Sequence, residues 1–298
     1  MNIAIAGASG FIGRRLLKTL AQAGHSLHVL SRHKGTNLPP GVRLSMWDPV
    51  KGPPPEEALR DADAVIHLSG EPVAQRWNDE VKRRIRESRI TGTRHLVQAI
   101  AQLSHKPAAL ICASATGYYG NRGDETLTES SAAGAGFLAD VCAEWEREAL
   151  AADPLGVRVA LIRTGMALDP RGGALQRLLP PFRMGAGGKL GNGKQWTPWI
   201  HLDDLANLYA FALENPVRGP LNGTAPNPVT NAEFTRNLAA AVHRPAILPI
   251  PALAMKLLYG EMAQILFDSQ RVLPKVAENM GFRFRFPQLS AALADLLK

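Results

Sequence analysis

The strongest constraint on this chain lies in its first twenty residues. The apolar run Ile3 to Ala6 leads into Gly7-Ala8-Ser9-Gly10-Phe11-Ile12-Gly13, and an apolar-periodic segment carrying Leu16, Leu17 and Leu20 follows. That order reads as a strand, a glycine turn and a helix. Such a turn offers bare backbone N–H groups at the positive end of a helix, which suits a pyrophosphate. The glycines allow a tight turn, close approach of a phosphate and close packing of helix on strand. The spacing is G-x-x-G-x-x-G rather than G-x-G-x-x-G, so its position between strand and helix gives the motif its weight.

The pattern continues beyond the turn. Gly24 is a natural helix stop. Ser26 to Ser31, Val42 to Trp47 and Ala64 to Ser69 read as strands, followed by a long helix from Asn78 to Leu103. Leu110 to Ser114 is a fifth strand, Gly136 to Ala152 a helix and Val157 to Arg163 a sixth strand. Short apolar strands alternating with helices predict a parallel sheet covered on both faces, the doubly wound α/β class of Rossmann type. From Arg171 the texture changes. Gly172, Gly173, Gly185, Gly187, Gly188, Gly191 and Gly193 crowd into one stretch, which reads as a functional loop. Asp203 to Glu214 then reads as a helix, with Asp203 as its cap and His201 in a structural role. The expected division is a dinucleotide-binding domain over 1–170, to which some later segments return. A smaller α+β substrate lobe covers 171–298 and includes a tail at 247–298.

The second strand ends at Ser31-Arg32, with His33 and Lys34 behind, and no Asp or Glu lies between Gly24 and Asp48. An acidic residue there would take the ribose 2′-hydroxyl of NAD, whereas an arginine accommodates the 2′-phosphate of NADP. The cofactor expected is therefore NADP(H). Asp48, ending the third strand, is placed either to meet the adenine amino group or to cap its own loop. The net charge of +8 favours anionic partners. The densest basic stretch, Lys82 to Arg86, lies in the long helix pattern and reads as a solvated face, with no nucleic-acid signature beside it. Two distant cysteines, Cys112 and Cys142, fit a reducing compartment. The chain enters its first strand at Asn2, glycines interrupt the apolar stretch, and no apolar run reaches ~18 residues. These features predict a cytoplasmic protein without signal peptide or spanning helix, acting on a small-molecule substrate rather than nucleic acid or membrane. His/Cys/Asp/Glu spacing suggests no metal site, and there is no G-x-S-x-G or Walker motif.

Several motifs together resemble the extended short-chain dehydrogenase/reductase superfamily. They are the glycine triplet, Leu68-Ser69-Gly70, Tyr118-Tyr119-Gly120, Arg163-Thr164-Gly165 and Trp199-Ile200-His201-Leu202-Asp203-Asp204. More narrowly the chain is similar to the atypical epimerase-family branch, the family 39U-like or YfcH-like proteins. The narrow marks are Gly70-Glu71-Pro72, Arg76-Trp77, Gly187-Gly188, Gly191-x-Gly193, Asn222-Gly223-Thr224-Ala225-Pro226 and the tail from Gly260-Glu261 through Gln270 to Pro274 and Gly281-Phe282. The resemblance spans essentially the whole chain. It implies cofactor contacts at Gly7, Ser9, Gly10, Phe11, Ile12 and Gly13, at Ser31 and Arg32, and along Leu68, Ser69, Gly70 and Glu71. It also places Thr164 and Gly165 near the nicotinamide. Arg89 stands where relatives carry an asparagine, and a guanidinium there suits phosphate. The substrate implied is a carbonyl, a carbinol or a nucleotide-linked sugar. Members often dimerise through the helices after the fourth and fifth strands, so a homodimer is the assembly to expect.

The superfamily's chemistry rests on Tyr-x-x-x-Lys in the helix after the fifth strand, and this chain lacks it. None of Tyr118, Tyr119, Tyr209 and Tyr259 has lysine four residues later. The dyad positions fall on Phe137/Val141 or Leu138/Cys142, and neither pair does acid/base work at neutral pH. Substitutes for the catalytic role are Ser114, Tyr118 and Tyr119, in the segment after the fifth strand. The rival expectation is a protein that binds NADPH as a sensor or scaffold and performs no catalysis.

Overall fold

A computed structural model describes residues 1–34 and 38–298. The strands, in chain order, are β1 (Asn2–Ala6), β2 (Ser26–Ser31), β3 (Arg43–Met46), β4 (Ala64–His67), β5 (Ala109–Ala115), β6 (Thr126–Leu127), β7 (Arg158–Thr164), β8 (Met166–Asp169), β9 (Trp196–Thr197), β10 (Trp199–His201), β11 (Gly219–Gly223), β12 (Val229–Thr230) and β13 (Arg271–Val272). The helices are α1 (Phe11–Gln22), α2 (Asp79–Gln102), α3 (Phe137–Leu150), α4 (Gly173–Arg183), α5 (Leu202–Glu214), α6 (Asn231–Ala241), α7 (Ala252–Tyr259), α8 (Lys275–Asn279) and α9 (Leu289–Leu296).

Seven strands form one parallel sheet in the order β11-β7-β5-β4-β1-β2-β3. Alternate side chains face opposite layers. Ile3, Ile5, Ile66, Ile111 and Ile162 pack against Leu16, Leu17 and Leu20 of α1 and Leu205 and Leu208 of α5. Ala4, Ala6, Val65, Leu110 and Leu161 pack on the other face against Leu96 and Ile100 of α2 and Trp145 and Ala149 of α3. This two-sided burial explains why the strands read as nearly unbroken apolar runs. The chain runs outward from β1 to β3 and then returns across β1 to β4. The strand order therefore reverses between β1 and β4, where doubly wound sheets open a crevice for ligands.

Residues 202–223 return to this layer, because α5 packs on α1 and β11 pairs with β7. A separate core holds the smaller lobe, with Leu175, Leu179, Phe182, Trp199, Phe234, Leu238 and Leu293 in contact. The glycine-rich stretch is not one loop, since Gly173–Arg183 forms α4 despite Pro180 and Pro181. Two of its glycines are packing positions. A Cβ on Gly172 would lie 2.3 Å from the Phe11 ring, and one on Gly187 would lie 2.5 Å from the Phe182 ring. Asp203 does not cap α5. The His201 imidazole does, accepting from the Asp203 N–H at 3.0 Å while stacking on Phe286 at 4.0 Å. Asp203 instead joins Arg15 of α1 at 2.6 Å, which locks α5 to the helix behind the glycine turn.

Candidate functional site

The glycine turn occupies the strand-order reversal. Gly7 has φ +84°, and a Cβ there would lie 2.7 Å from the Leu68 carbonyl carbon and 2.8 Å from the Ser69 nitrogen. The turn after β1 thus rests on the loop after β4. A Cβ on Gly13 would lie 2.3 Å from the Gly7 oxygen, so no larger residue lets α1 sit so close to the turn. At Gly10 the nearest atom to an added Cβ is the Gly7 oxygen at 3.2 Å, and Ser9 and Gly10 are exposed. Gly10 is the N-cap of α1 and supplies no side-chain cap. Among the described residues, nothing accepts from the amides of Phe11, Ile12 and Gly13. These donors and the helix dipole favour an anion above the turn.

The flanks of the turn carry the other expected ligands. Ser31 is buried, and its Oγ accepts from the His33 N–H at 3.2 Å. Arg32 is exposed and makes no ion pair among the described residues. Asp48 accepts from the Val50 N–H at 3.3 Å and lies 3.6 Å from Lys51, so it does cap its own loop. After β4, Leu68 and Ser69 are half-buried and Gly70 is exposed. Glu71 is tied down on every side. Its N–H donates to Ser88 Oγ, its carbonyl accepts from Arg89, and its carboxylate lies 3.2 Å from Gln75 and 3.6 Å from Arg84. Thr164 and Gly165 stand at the end of β7, where a Cβ on Gly165 would lie 2.8 Å from the Pro198 oxygen. The basic stretch of α2 is fully paired: Lys82 with Glu261, Arg83 with Glu80 and Glu87, Arg84 with Glu71, and Arg86 with Glu144.

The structure fixes the register that the sequence left open. A Cβ on Gly117 would lie 3.3 Å from Leu138 Cβ and 3.8 Å from Cys142 Sγ, so Leu138 and Cys142 face the end of β5. Phe137 and Val141 instead pack with Trp77, Val81 and Ile85. Burial pushes the Cys142 thiol up to about 12, so it stays protonated. The space beside Gly117 is therefore lined by a leucine and a neutral thiol.

Two of the three expected proton donors are engaged elsewhere. Ser114 Oγ donates to Glu146 at 2.6 Å. Glu146 also receives Arg163 Nε and Nη2, both at 2.8 Å, and both side chains are buried. Arg163 Nη1 donates to Tyr119 Oη at 3.0 Å. The Tyr119 hydroxyl lies 2.7 Å from Asn222 Oδ1 and 3.0 Å from the Thr128 oxygen, and the residue is wholly buried. Burial raises the Tyr119 phenol above its ordinary value despite Arg163. Asn222 completes the chain, its N–H donating to Glu129 Oε1 at 3.0 Å and its Nδ2 to the Leu273 oxygen at 2.9 Å. Tyr118 differs. It is half-buried, its ring lies 3.5 Å from the Arg163 guanidinium, and its hydroxyl has no partner among the described residues. Sequence reasoning missed Glu146 as the hub, although a carboxylate on the sheet-facing side of a helix was a usable signal.

A model of the NAD dependent epimerase/dehydratase family matches residues 3–225, and one described as a domain of unknown function (DUF1731) matches residues 250–296. The chain belongs to the NAD dependent epimerase/dehydratase family. Within that family it is 41% identical to the chloroplastic SDR39U1 homologue of Arabidopsis thaliana, an epimerase family protein, over 100% of this chain and 87% of the relative. A crystal structure of human epimerase family protein SDR39U1 (isoform 2) with NADPH superposes with TM-score 0.89 at 33% identity, covering 100% of this chain and 99% of that one. The UDP-glucose 4-epimerase of Thermus thermophilus, solved with NAD, shares the fold with TM-score 0.78 at 19% identity, covering 100% of this chain and 97% of its own. The glycine turn on which the resemblance rests is present, and the α3 residues that face the end of β5 are Leu138 and Cys142. Among the described residues there is no group of His, Cys, Asp and Glu able to hold a metal, and no helix is long and apolar enough to cross a membrane.

Proposed function

We propose that this protein binds NADP(H) and acts as an oxidoreductase or epimerase-like enzyme on a carbonyl, carbinol or nucleotide-linked sugar. The observation that carries the reading is the bare cradle of Gly7, Gly10 and Gly13, flanked by Arg32, which makes no ion pair among the described residues. The residues fit the group: free amides face a diphosphate, and an exposed guanidinium stands where a 2′-phosphate would lie. The human relative solved with NADPH supports the same choice. When bound, the cofactor supplies hydride transfer between its nicotinamide and a carbonyl or carbinol carbon. The chain must then handle a proton, and Tyr118 is the loop candidate whose hydroxyl is unengaged. The substrate is a small molecule, not nucleic acid or membrane. We assign the cytoplasm as its compartment and a homodimer through α2 and α3 as its assembly.

A second reading has its own support. With Ser114 and Tyr119 locked in a buried network and Leu138 and Cys142 at the dyad positions, the fold also suits a sensor or scaffold that holds NADPH without turnover. One measurement tests both readings and a second separates them. Calorimetry should find NADPH binding far more tightly than NADH, and no binding of either at millimolar concentration overturns both readings. Tyr118→Phe should abolish turnover on a carbonyl and nucleotide-sugar panel while leaving NADPH affinity intact. Absence of turnover by the unmodified protein across that panel favours the sensor.

A further inference from the structure

The most exposed apolar side chains of the described residues are gathered in two neighbouring segments. Met184, Ile247, Leu248, Leu253, Leu257 and Leu258 are each between 66% and 81% exposed, whereas no other large apolar side chain passes 47%. The segments touch. Arg244 Nε donates to the Arg183 oxygen at 3.1 Å, and Ile250 bridges Leu190, its N–H donating to the Lys189 oxygen at 2.8 Å. No residue of α7 is buried. A two-turn helix without core packing is marginal in water. This one is nonetheless held at both ends, by the Ile250 bridge before it and by the Glu261–Lys82 ion pair after it. Leu253 and Leu257, one turn apart, share a face of that helix. A contiguous exposed patch of this kind marks an interaction site.

The charge around the patch has one sign. Between Asp169 and Asp203, and again between Glu233 and Glu261, the chain has no acidic residue. Arg183, Lys189, Arg244 and Lys256 lie in those stretches, all exposed and none in an ion pair among the described residues. An anionic partner complements such a surface. A second copy of the chain does not, because a twofold contact would set the same cations against one another. None of the six apolar residues is aromatic, whereas protein interfaces are anchored by Trp, Tyr and Arg in shaped pockets. Leucine, isoleucine and methionine side chains enter an acyl-chain boundary without needing a pocket, and Lys and Arg stems reach the head groups above it.

We propose that this face docks the protein on an anionic lipid surface. The leucines of α7, with Met184, Ile247 and Leu248, enter the acyl boundary, and Arg183, Lys189, Arg244 and Lys256 meet the lipid phosphates. The association is peripheral, since among the described residues no helix is long and apolar enough to cross a membrane. The membrane is a support here, and the molecule acted on remains a small one. Docking does not depend on the cofactor, because none of these residues belongs to the glycine cradle or its flanks.

The test is co-sedimentation of the full chain with vesicles. Vesicles of equal parts phosphatidylcholine and phosphatidylglycerol should carry the protein down, and phosphatidylcholine alone should not. Lys256→Ala should weaken the binding about fivefold, the share of one cation near an anionic membrane. Leu253→Ser and Leu257→Ser should each weaken it about tenfold or more. These side chains are exposed, so the urea midpoint should stay unchanged and show that the variants are folded. Arg60→Ala, which removes an exposed cation of another surface, should leave vesicle binding as it was. Equal losses from Lys256→Ala and Arg60→Ala, or no loss from either leucine variant, would trace the binding to diffuse positive charge and overturn the proposal. Absence of binding to the anionic vesicles would overturn it too, and would leave an acidic protein surface as the partner that fits the patch.

Discussion

His67 ends β4 with its side chain wholly buried, and neither ring nitrogen has a hydrogen-bond partner among the described residues. Burial, reinforced by the nearby Arg89 charge, lowers its pKa from 6.5 to about 4. The folded protein therefore resists protonation that the unfolded chain accepts. The unfolded state binds more protons between those two values, so stability rises with pH across the window and is lost as pH falls through it. At about 1.4 kcal/mol per pKa unit, the whole displacement is worth roughly 3 kcal/mol. Linkage puts most of that loss, about 2–3 kcal/mol, above pH 4.5. Urea denaturation followed by tryptophan fluorescence, run from pH 7.5 to 4.5 on the unmodified protein and on His67→Leu, measures this directly. Leucine introduces a packing change that does not depend on pH, so the difference between the two curves isolates the imidazole. Glu129, Asp204 and Asp268, which burial raises, act in the opposite direction but appear in both proteins and cancel. The substitution should flatten the acid limb, so that the unmodified protein falls relative to it by the stated amount. Parallel curves over the window would show that His67 takes up its proton without cost, and would refute the reasoning.

Other perturbations probe the cradle and the buried network. Arg32→Asp should weaken NADPH about tenfold to a hundredfold and leave NADH affinity equal or improved; equal losses measured by calorimetry would remove the 2′-phosphate assignment. Gly13→Ala places a Cβ 2.3 Å from the Gly7 oxygen; it should cost about 1–3 kcal/mol in urea denaturation and abolish NADPH binding. Arg163→Met leaves Glu146 buried with Ser114 as its remaining side-chain partner and should cost about 3–5 kcal/mol, most of it recovered by adding Glu146→Leu. A loss under about 1 kcal/mol in the single variant would show that the pair is solvated after all.

The fold was largely legible because its signals are local. The glycine turn, the apolar runs of β1, β4, β5 and β7 and the periodic helices all lie within short windows, and the matched elements differ by a few residues at most. α4 is hidden because the glycines from Gly172 to Gly193 read as one loop, and Pro180 and Pro181 lie inside the helix. The spacing of Leu175, Leu179 and Phe182 was the countervailing helical signal, and packing in the second core decides for it. Asp203 is misread as the cap of α5 because an aspartate near a helix start is the usual capping signal, while Arg15, 188 positions away in sequence, claims its carboxylate. The role of Ser114 and Tyr119 could not be read at all. Their partners Glu146, Arg163 and Asn222 come from three other elements, and only the folded chain brings them together.

That convergence bears on the chemistry as well as the fold. Ser114 lies on β5, Glu146 on α3, Arg163 on β7 and Asn222 on β11, and Asn222 reaches on to Leu273 beside β13. One buried charged pair therefore joins three adjacent strands, a covering helix and the C-terminal region matched by the second family model. Ser114 cannot hand its proton to a substrate without leaving Glu146 short of a partner, a penalty of about 1–3 kcal/mol per buried group, and the wholly buried Tyr119 accepts from Arg163 while its own proton serves Asn222 or the Thr128 oxygen. This packing therefore commits both Ser114 and Tyr119 to a structural network. On the enzyme reading proposed above, proton transfer falls to groups outside the network, and Leu138 and Cys142 beside Gly117 offer few. Tyr118 meets the condition with its hydroxyl uncommitted and its ring held against the Arg163 guanidinium. The network that withdraws its neighbours from chemistry is also what holds that ring in place.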